Sequence, residues 1–448
     1  MALTPADQAQ LNDAISALAR DRGRADTLAA DLVARYPDES RVHVVYAATR
    51  SSMQDYVAAV RHLDIAACDG DSAMVQFNLG YCLRQTGDYL RAAAHLRRGA
   101  GMPGADDALH ALAANTFAVL GRDSEARRLL SGAANTPLTV FCQWLLGADG
   151  AAVRQYFAGQ PQRCDEAVLF WMKHDCHAFG MLDDKVALAQ LLNDTLADYW
   201  PHAIELPGPL AEHELNGWWI FKPAALAGGQ GMRLTRAPAV LRDIERGIAQ
   251  RYVHPPLLLS GRKFNVRLLY CLHSIDPLRV FLWRDGLVFV AGEDYSAPLE
   301  GEASNAHVVN LLRAKPADIG RPIGLLPAHV VSLHTLLDSG MVNATALQDG
   351  ITRLAAALTG ALSNSGFFAA VNNAGVSHAF APRFVGLDVS FDADLEPRLF
   401  EIERYPGLGG VSAQSAEING RFRQQWLVFT LLDAPAAHAH FAAVVPST

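Results

Sequence analysis

Gly261-Arg262-Lys263-Phe264-Asn265-Val266-Arg267-Leu268 alternates polar and apolar residues from Lys263 onward. A period of two belongs to a β-strand, so Lys263, Asn265 and Arg267 share one face and Phe264, Val266 and Leu268 the other. The neighbouring Tyr252-Val253 and Pro255-Pro256-Leu257-Leu258-Leu259 are apolar, which sets this polar face in a buried place rather than on a solvated edge. Upstream, Trp219-Ile220-Phe221-Lys222 reads as a short apolar strand ending in Lys and running through Pro223 toward Gly228-Gly229-Gln230-Gly231. A glycine-rich loop lets backbone N–H groups close over phosphates while a Lys reaches their oxygens. Taken alone, such a loop is more often a simple turn.

The two lysines gain weight from the composition. Only five of the 448 residues are Lys, and the other 33 basic residues are Arg. Lys222 and Lys263 therefore stand out in a chain that uses Arg almost everywhere, and a compact ammonium suits a phosphate oxygen or an adenine edge.

Downstream, Arg279-Val280-Phe281-Leu282-Trp283-Arg284, Asp285-Gly286 and Leu287-Val288-Phe289-Val290 predict a hairpin turning at Asp-Gly, with Arg284 at its mouth. Val385-Gly386-Leu387-Asp388-Val389-Ser390-Phe391 and Arg398-Leu399-Phe400-Glu401-Ile402-Glu403 predict an antiparallel pair joined by residues 392–397. Glu401 and Glu403 share a face, and Asp388 on the paired strand can join them. Three carboxylates among apolar strand residues repel unless a cation lies between them, and hard oxygen ligands beside phosphates favour Mg²⁺. The alternative is a solvated acidic edge.

The whole chain sets wider bounds. Its length implies two or three domains, and 50% apolar with 19% charged residues is a globular composition. A net charge of −8 argues against a nucleic-acid partner. The six cysteines lack C-x-x-C spacing, which reads as free thiols in a reducing compartment. Without an apolar run of spanning length or a signal-peptide pattern, the expectation is a cytoplasmic protein with no membrane partner.

Residues 1–135 carry a 34-residue period: Gly87/Gly121, Ala92/Ala126 and Leu96/Leu130, with Ala58 one repeat before Ala92. The unit Leu79-Gly80, Leu83, Gly87-Asp88, Ala92, Leu96 resembles a tetratricopeptide repeat. An Ala-rich helical bundle is the plainer reading. Residues 136–205 are expected to form a small connecting subdomain, and residues 206–448 the catalytic domain.

In this order the segments from about 180 to 430 resemble the tubulin-tyrosine-ligase-like family of ATP-grasp ligases. The likeness rests on Trp219–Pro223, the glycine loop, Gln250-Arg251-Tyr252-Val253, Gly261–Phe264, Arg267, Pro277–Val280 and Arg284-Asp285-Gly286. Glu293, His307-Val308-Val309-Asn310, Gly386-Leu387-Asp388 and Glu401-Ile402-Glu403 complete it. The resemblance implies an α+β chain, with an N-terminal helical-repeat solenoid followed by two β-rich lobes clamping ATP. It further implies that Lys222 with Gly229 and Gly231 meets the phosphates, and that Gln250, Tyr252 and Val253 form the adenine hinge. Lys263 and Asn265 then line the nucleotide pocket, and Arg267, Arg284 and Asn310 face the γ-phosphate and acceptor. Asp388 and Glu401, with Glu403, hold Mg²⁺.

The implied reaction is phosphorylation of a carboxylate by ATP, then attack by an amine to give an amide, ADP and phosphate. It implies a free amino acid as co-substrate and a protein or peptide acceptor, which the repeats are expected to dock. Asn265, Val309 and Glu403 depart from the family's usual Asp, Thr and Asn, which bears on rate and acceptor choice more than on ATP. Arg404-Tyr405-Pro406-Gly407 replaces the usual small-residue run and points to a different acceptor. The rival readings are a dipeptide-type ligase of small molecules and a degenerate ATP-binding scaffold working through its repeats.

Overall fold

A computed structural model of the chain describes residues 3–18, 21–69, 71–147, 155–157, 167, 170, 177–208, 217–224, 229–237, 246–309, 320–373, 383–408, 410, 412–430 and 438–445. It divides into two compact units, residues 1–178 with 371–381, and residues 179–370 with 382–448.

The first unit is a run of helices: α1 (Pro5–Ala17), α2 (Arg22–Arg35), α3 (Ser40–Ser52), α4 (Tyr56–Asp69), α5 (Ala73–Gln85), α6 (Tyr89–Ala100), α7 (Asp107–Val119), α8 (Asp123–Ser131) and α9 (Pro137–Leu145). Several of their starts are marked by side-chain caps. Ser72, Asp88 and Asp106 accept the N–H of Val75, Arg91 and Leu109, satisfying donors that a helix start leaves open.

The period seen in the sequence is present in the backbone. Helices α3, α5 and α7 begin at residues 40, 73 and 107, and their partners at 56, 89 and 123, a spacing of 33 and then 34 residues, so buried Ala59, not Ala58, is the counterpart of Ala92 and Ala126. Each pair is joined by the same turn. Gln54, Gly87 and Gly121 adopt φ of 63°, 81° and 70°. The next residue's N–H then reaches back to a carbonyl of the preceding helix: Asp55 to Arg50, Asp88 to Leu83 and Arg122 to Phe117, each at 2.9 Å. This left-handed position favours Gly, and Gln54 is the unit that departs from it. Within a pair, small residues set the approach. A Cβ built on Gly80 of α5 would lie 2.3 Å from Leu96 Cγ of α6, so the pair packs at a distance only Gly allows there.

The second unit begins with α10 (Gly180–Asp183) and α11 (Lys185–Thr195) and holds two antiparallel sheets. The first has the order β1 (Ala203–Leu206), β4 (Gly247–Arg251), β2 (Trp219–Pro223), β3 (Arg233–Thr235) and β8 (Gly301–Glu302). The second has the order β11 (Pro397–Glu403), β10 (Arg383–Phe391), β6 (Arg262–Ile275), β7 (Leu278–Val290) and β12 (Phe441–Ala443). There β5 (Leu258–Leu259) pairs with β6, and β9 (Val330–Ser332) pairs with β7. The remaining helices are α12 (Leu333–Asp338), α13 (Ala344–Asn364), α14 (Phe367–Asn373) and α15 (Ala413–Thr430).

The alternation in β6 separates two environments. On the apolar face Tyr270 bonds Thr359 of α13 at 2.7 Å, and α13 also packs Gly350 against Pro397. The face carrying Arg267 and its neighbour Asp388 is covered at one end by α15, where Phe384 meets Phe422 and Trp426.

Asp285-Gly286 does not turn a hairpin. Strand β7 runs continuously from Leu278 to Val290, and the chain reverses at Ile275–Leu278, around Asp276-Pro277. Between the pairs Leu268↔Gly286 and Tyr270↔Leu282, three residues of β7 face one of β6, so Trp283, Arg284 and Asp285 form a bulge. Neither Asp285 nor Gly286 has the positive φ that a type I′ turn demands. Asp285 is buried and committed: it accepts the N–H of Gly286 at 2.9 Å and of His334 at 3.1 Å, and pairs with Arg421 at 3.0 Å. Among the described residues Cys68, Cys82, Cys142 and Cys271 are free thiols, and no helix is long and apolar enough to cross a membrane.

Overpacking the helix pair is the direct check on the first unit. Gly80→Val is expected to lower its stability by roughly 1–3 kcal/mol in a urea melt. An unchanged transition would contradict the close approach of α5 and α6.

Candidate active site

The site begins with strand register. Arg267 of β6 stands opposite Asp388 of β10, and Asp388 opposite Glu401 of β11. Residues in register across an antiparallel sheet share a face, so three adjacent strands deliver one charged row. Arg267 donates from Nε and Nη2 to the two oxygens of Asp388, each at 2.7 Å, and its Nη2 lies 3.6 Å from Glu403. Glu403 pairs in register with Gly386, where a Cβ would meet Pro406, Glu403 and Arg267 at 3.1–3.4 Å. A side chain there would crowd the row.

Asp388, Glu401 and Glu403 each offer an oxygen within 4.8 Å of the others. Burial, then the charge of Glu401, pushes the Glu403 carboxyl above its ordinary range, with Arg267 opposing. A second cation stands on the far side. Asp184 caps α11 by accepting the N–H of Val186 and Ala187, which fixes Lys185 at the helix start, 3.6 Å from Glu401. Three carboxylates thus crowd against two cations, with the Glu403 carboxyl pushed toward its protonated form, and together they present a set of hard oxygens. That donor set fits a divalent oxygen-seeking ion such as Mg²⁺.

Next to the acidic row lies Lys222, and Lys263 stands within reach of its charge. Lys222, at the end of β2, is buried and donates to Gln250 Oε1 at 2.7 Å and to the Phe400 carbonyl at 2.9 Å. Lys185, Lys222, Phe400 and Glu401 line one pocket with Trp200 and Ile248. Burial pushes the Lys222 ammonium down to about 8. Lys263 is buried too, and burial, with Lys222's charge second, pushes it down to about 7. Its hydrogen bonds go to the Tyr252 hydroxyl at 3.3 Å and the His307 carbonyl at 3.2 Å, both neutral.

Two buried polar atoms here have no hydrogen-bond partner among the described residues: Gln250 Nε2, a donor, and Asn265 Oδ1, an acceptor. Orphaned atoms beside two buried cations are what a polar, anionic ligand would satisfy, and a nucleotide is such a ligand. Gly229 and Gly231 follow β2 with φ of 77° and 67°, the left-handed backbone for which glycine was expected.

The other sequence candidates fall less centrally. Val253 is half-buried just beyond β4. Arg284 is exposed within the β7 bulge, and no hydrogen bond or ion pair joins it to the acidic row among the described residues. Asn310 and Gly228 lie outside the described residues. Three neighbours of the site escaped the sequence reading as functional residues. Lys185 carried the same signal as Lys222 and Lys263, rarity of Lys, but had no recognisable spacing. The side chains of His307 and Tyr295 are brought to Lys263 and Tyr252 only by the fold.

Residues 172–313 match the Tubulin-tyrosine ligase family. Similar proteins include the tubulin polyglutamylase TTLL7 of Xenopus tropicalis, 40% identical over 20% of this chain and 10% of its own length. The human tubulin monoglutamylase TTLL4 is 26% identical over 45% of this chain and 17% of its own. The zebrafish (Danio rerio) tubulin polyglutamylase ttll6 is 26% identical over 48% and 28%. The chain thus spans under a third of the length of these relatives.

The buried lysines make stability depend on pH. In the fold Lys263 is held down to about 7 from an ordinary 10.5, so between those values the unfolded chain binds more protons. The cost is absent above the upper value, grows as pH falls through the interval, and is full below about 7. Lys263→Met is therefore expected to stabilise the protein at pH 7 by roughly 1–4 kcal/mol, less so toward pH 10. Urea melts at several pH values check this, and a variant less stable at pH 7 would contradict it.

Proposed function

We propose that the second unit of this tubulin-tyrosine-ligase-like chain is an ATP-dependent ligase joining an amino acid to a carboxylate of a protein or peptide. The observation that carries the reading is a buried lysine with neutral partners, Lys222, beside a three-carboxylate cluster, with a second such lysine, Lys263, within reach of its charge. A nucleotide polyphosphate with a divalent cation has the complementary charges, anionic toward Lys222 and Lys263 and cationic toward Asp388, Glu401 and Glu403.

In this reading Lys222, with Gly229 and Gly231, holds phosphate oxygens. Gln250, Tyr252, Val253, Lys263 and Asn265 surround the rest of the nucleotide. Bound Mg²⁺ would neutralise charge on the transferring phosphoryl group. Asp388 and Glu401 would hold it, with Glu403 as a third oxygen donor. Arg267 fixes the orientation of Asp388 through its two hydrogen bonds and presents positive charge along the same row. Arg284 and Asn310 are proposed to face the acceptor.

The acceptor carboxylate takes the γ-phosphoryl group, and ADP leaves. The amine nitrogen then bonds to the acyl carbon, sheds a proton, and phosphate leaves. Such chemistry needs positioning and charge stabilisation rather than a Ser or Cys nucleophile. The relatives are named glutamylases, so glutamate is the first amino acid to test. The repeating helices are proposed to recruit the acceptor, as stacked helical repeats present extended grooves.

The deciding experiment incubates the protein with Mg-ATP, labelled glutamate and a protein lysate, and reads label in protein by mass spectrometry. Lys222→Ala should weaken Mg-ATP binding by roughly 1.5–3 kcal/mol in calorimetry, the worth of a charge-assisted contact. Unchanged affinity would remove Lys222 from the nucleotide site. Glu401→Gln should abolish incorporation with the melting transition retained, and normal incorporation would refute the metal assignment.

A further inference from the structure

Lys263 is held by a wall of rings. Its ammonium lies 4.4 Å from the centre of the Tyr252 ring and donates to that residue's hydroxyl and to the His307 carbonyl. The Tyr252 hydroxyl in turn meets His307 Nδ1 at 3.0 Å. Tyr295 closes a further side, its ring edge-on to His307 with centres 5.2 Å apart, and its hydroxyl meets His254 Nδ1 at 2.7 Å. The parts come from separate stretches. Tyr252 follows β4 and is tied to β2 through its N–H on the Trp218 carbonyl at 2.9 Å, Lys263 opens β6, and His307 follows β8. Tyr252 and His307 are both buried.

Resting on the nucleotide-binding reading above, we propose that Tyr252 and His307 are positioning residues for Lys263, holding its ammonium so that the third N–H stays aimed at the bound nucleotide. An ammonium has three donors, and this wall takes two. A free Lys side chain carries rotamer entropy, and a wall that fixes it in advance removes that cost from binding. The bonds form a chain, Lys263 to the Tyr252 oxygen and the Tyr252 hydroxyl to His307 Nδ1, in which each donation strengthens the next. Burial, with the Lys263 charge second, pushes His307 down to about 4, so its ring stays neutral near pH 7 and keeps a lone pair to accept. His307 thus grips Lys263 twice, through its own carbonyl and through Tyr252.

The test is calorimetric titration of the full chain with the non-hydrolysable probe Mg-AMPPNP, with melting temperatures measured alongside. Tyr252→Phe keeps the ring under the ammonium and removes the hydroxyl. It is expected to weaken binding by about tenfold and shift the melting temperature by less than about 2 °C. His307→Phe, which keeps a ring and removes Nδ1, should weaken binding by about threefold. In the double variant with Lys263→Ala, Tyr252→Phe should add nothing, because the hydroxyl it removes acts only through Lys263. A merely structural Tyr252 would move the melting temperature and leave the cycle additive, and that result overturns the proposal. Weakening by Lys263→Ala with full affinity in both ring variants overturns it too, while sparing the nucleotide reading. Absence of probe binding to the unmodified protein would bring down both.

Discussion

Three carboxylates held within 4.8 Å of one another are a liability that the surrounding structure must answer. Like charges about 4 Å apart repel by about 4 kcal/mol near a protein surface. Arg267, from the adjacent strand β6, and Lys185, from the start of α11, answer most of it. The pairing of β10 with β6 and β11 is thereby tied to the charged row, since the register that forms the sheet also brings the compensating arginine to Asp388. The compensation is incomplete: the Glu403 carboxyl stays pushed toward its protonated form, and a divalent cation is what would let all three oxygens carry charge together.

Lys222 and Lys263 show the opposite imbalance. Both are buried, both donate to neutral groups, and both have their ammonium pushed down by burial. A stability-optimised core would carry apolar residues there. Cations kept in the face of that cost, beside an orphaned amide donor on Gln250 and an orphaned acceptor on Asn265, describe a site organised for a ligand rather than for the fold. The acidic row and Lys222 meet at Phe400 and Glu401, where the Phe400 carbonyl accepts from Lys222 while the next residue offers its carboxylate.

Much of this was legible because strands write their faces into the sequence. The alternation from Lys263 to Leu268 put Arg267 on the polar face, and the two acidic strands joined by a short linker put Asp388 against Glu401. The turn at Asp285-Gly286 misled for a physical reason: a dipeptide that favours a tight turn can also be absorbed in a bulge when its carboxylate finds buried partners, here the N–H groups of Gly286 and His334 and the guanidinium of Arg421. Lys185 lacked a pattern because it lies at a helix start, where no strand period marks a face. His307 and Tyr295 are 44 and 32 positions beyond Lys263, and only folding brings them together. The helical period was readable at Gly87 and Gly121 but hidden at Gln54, where the same left-handed turn is made without glycine.

The central claim is that the acidic row holds a divalent ion next to a nucleotide bound by the two lysines. Anomalous diffraction from crystals grown with Mn²⁺ and a non-hydrolysable ATP analogue tests it most directly. The account predicts a single anomalous peak about 2.2 Å from oxygens of Asp388 and Glu401, with phosphate density reaching Lys222. Nucleotide density bound elsewhere, or a peak remote from Asp388 and Glu401, would contradict it.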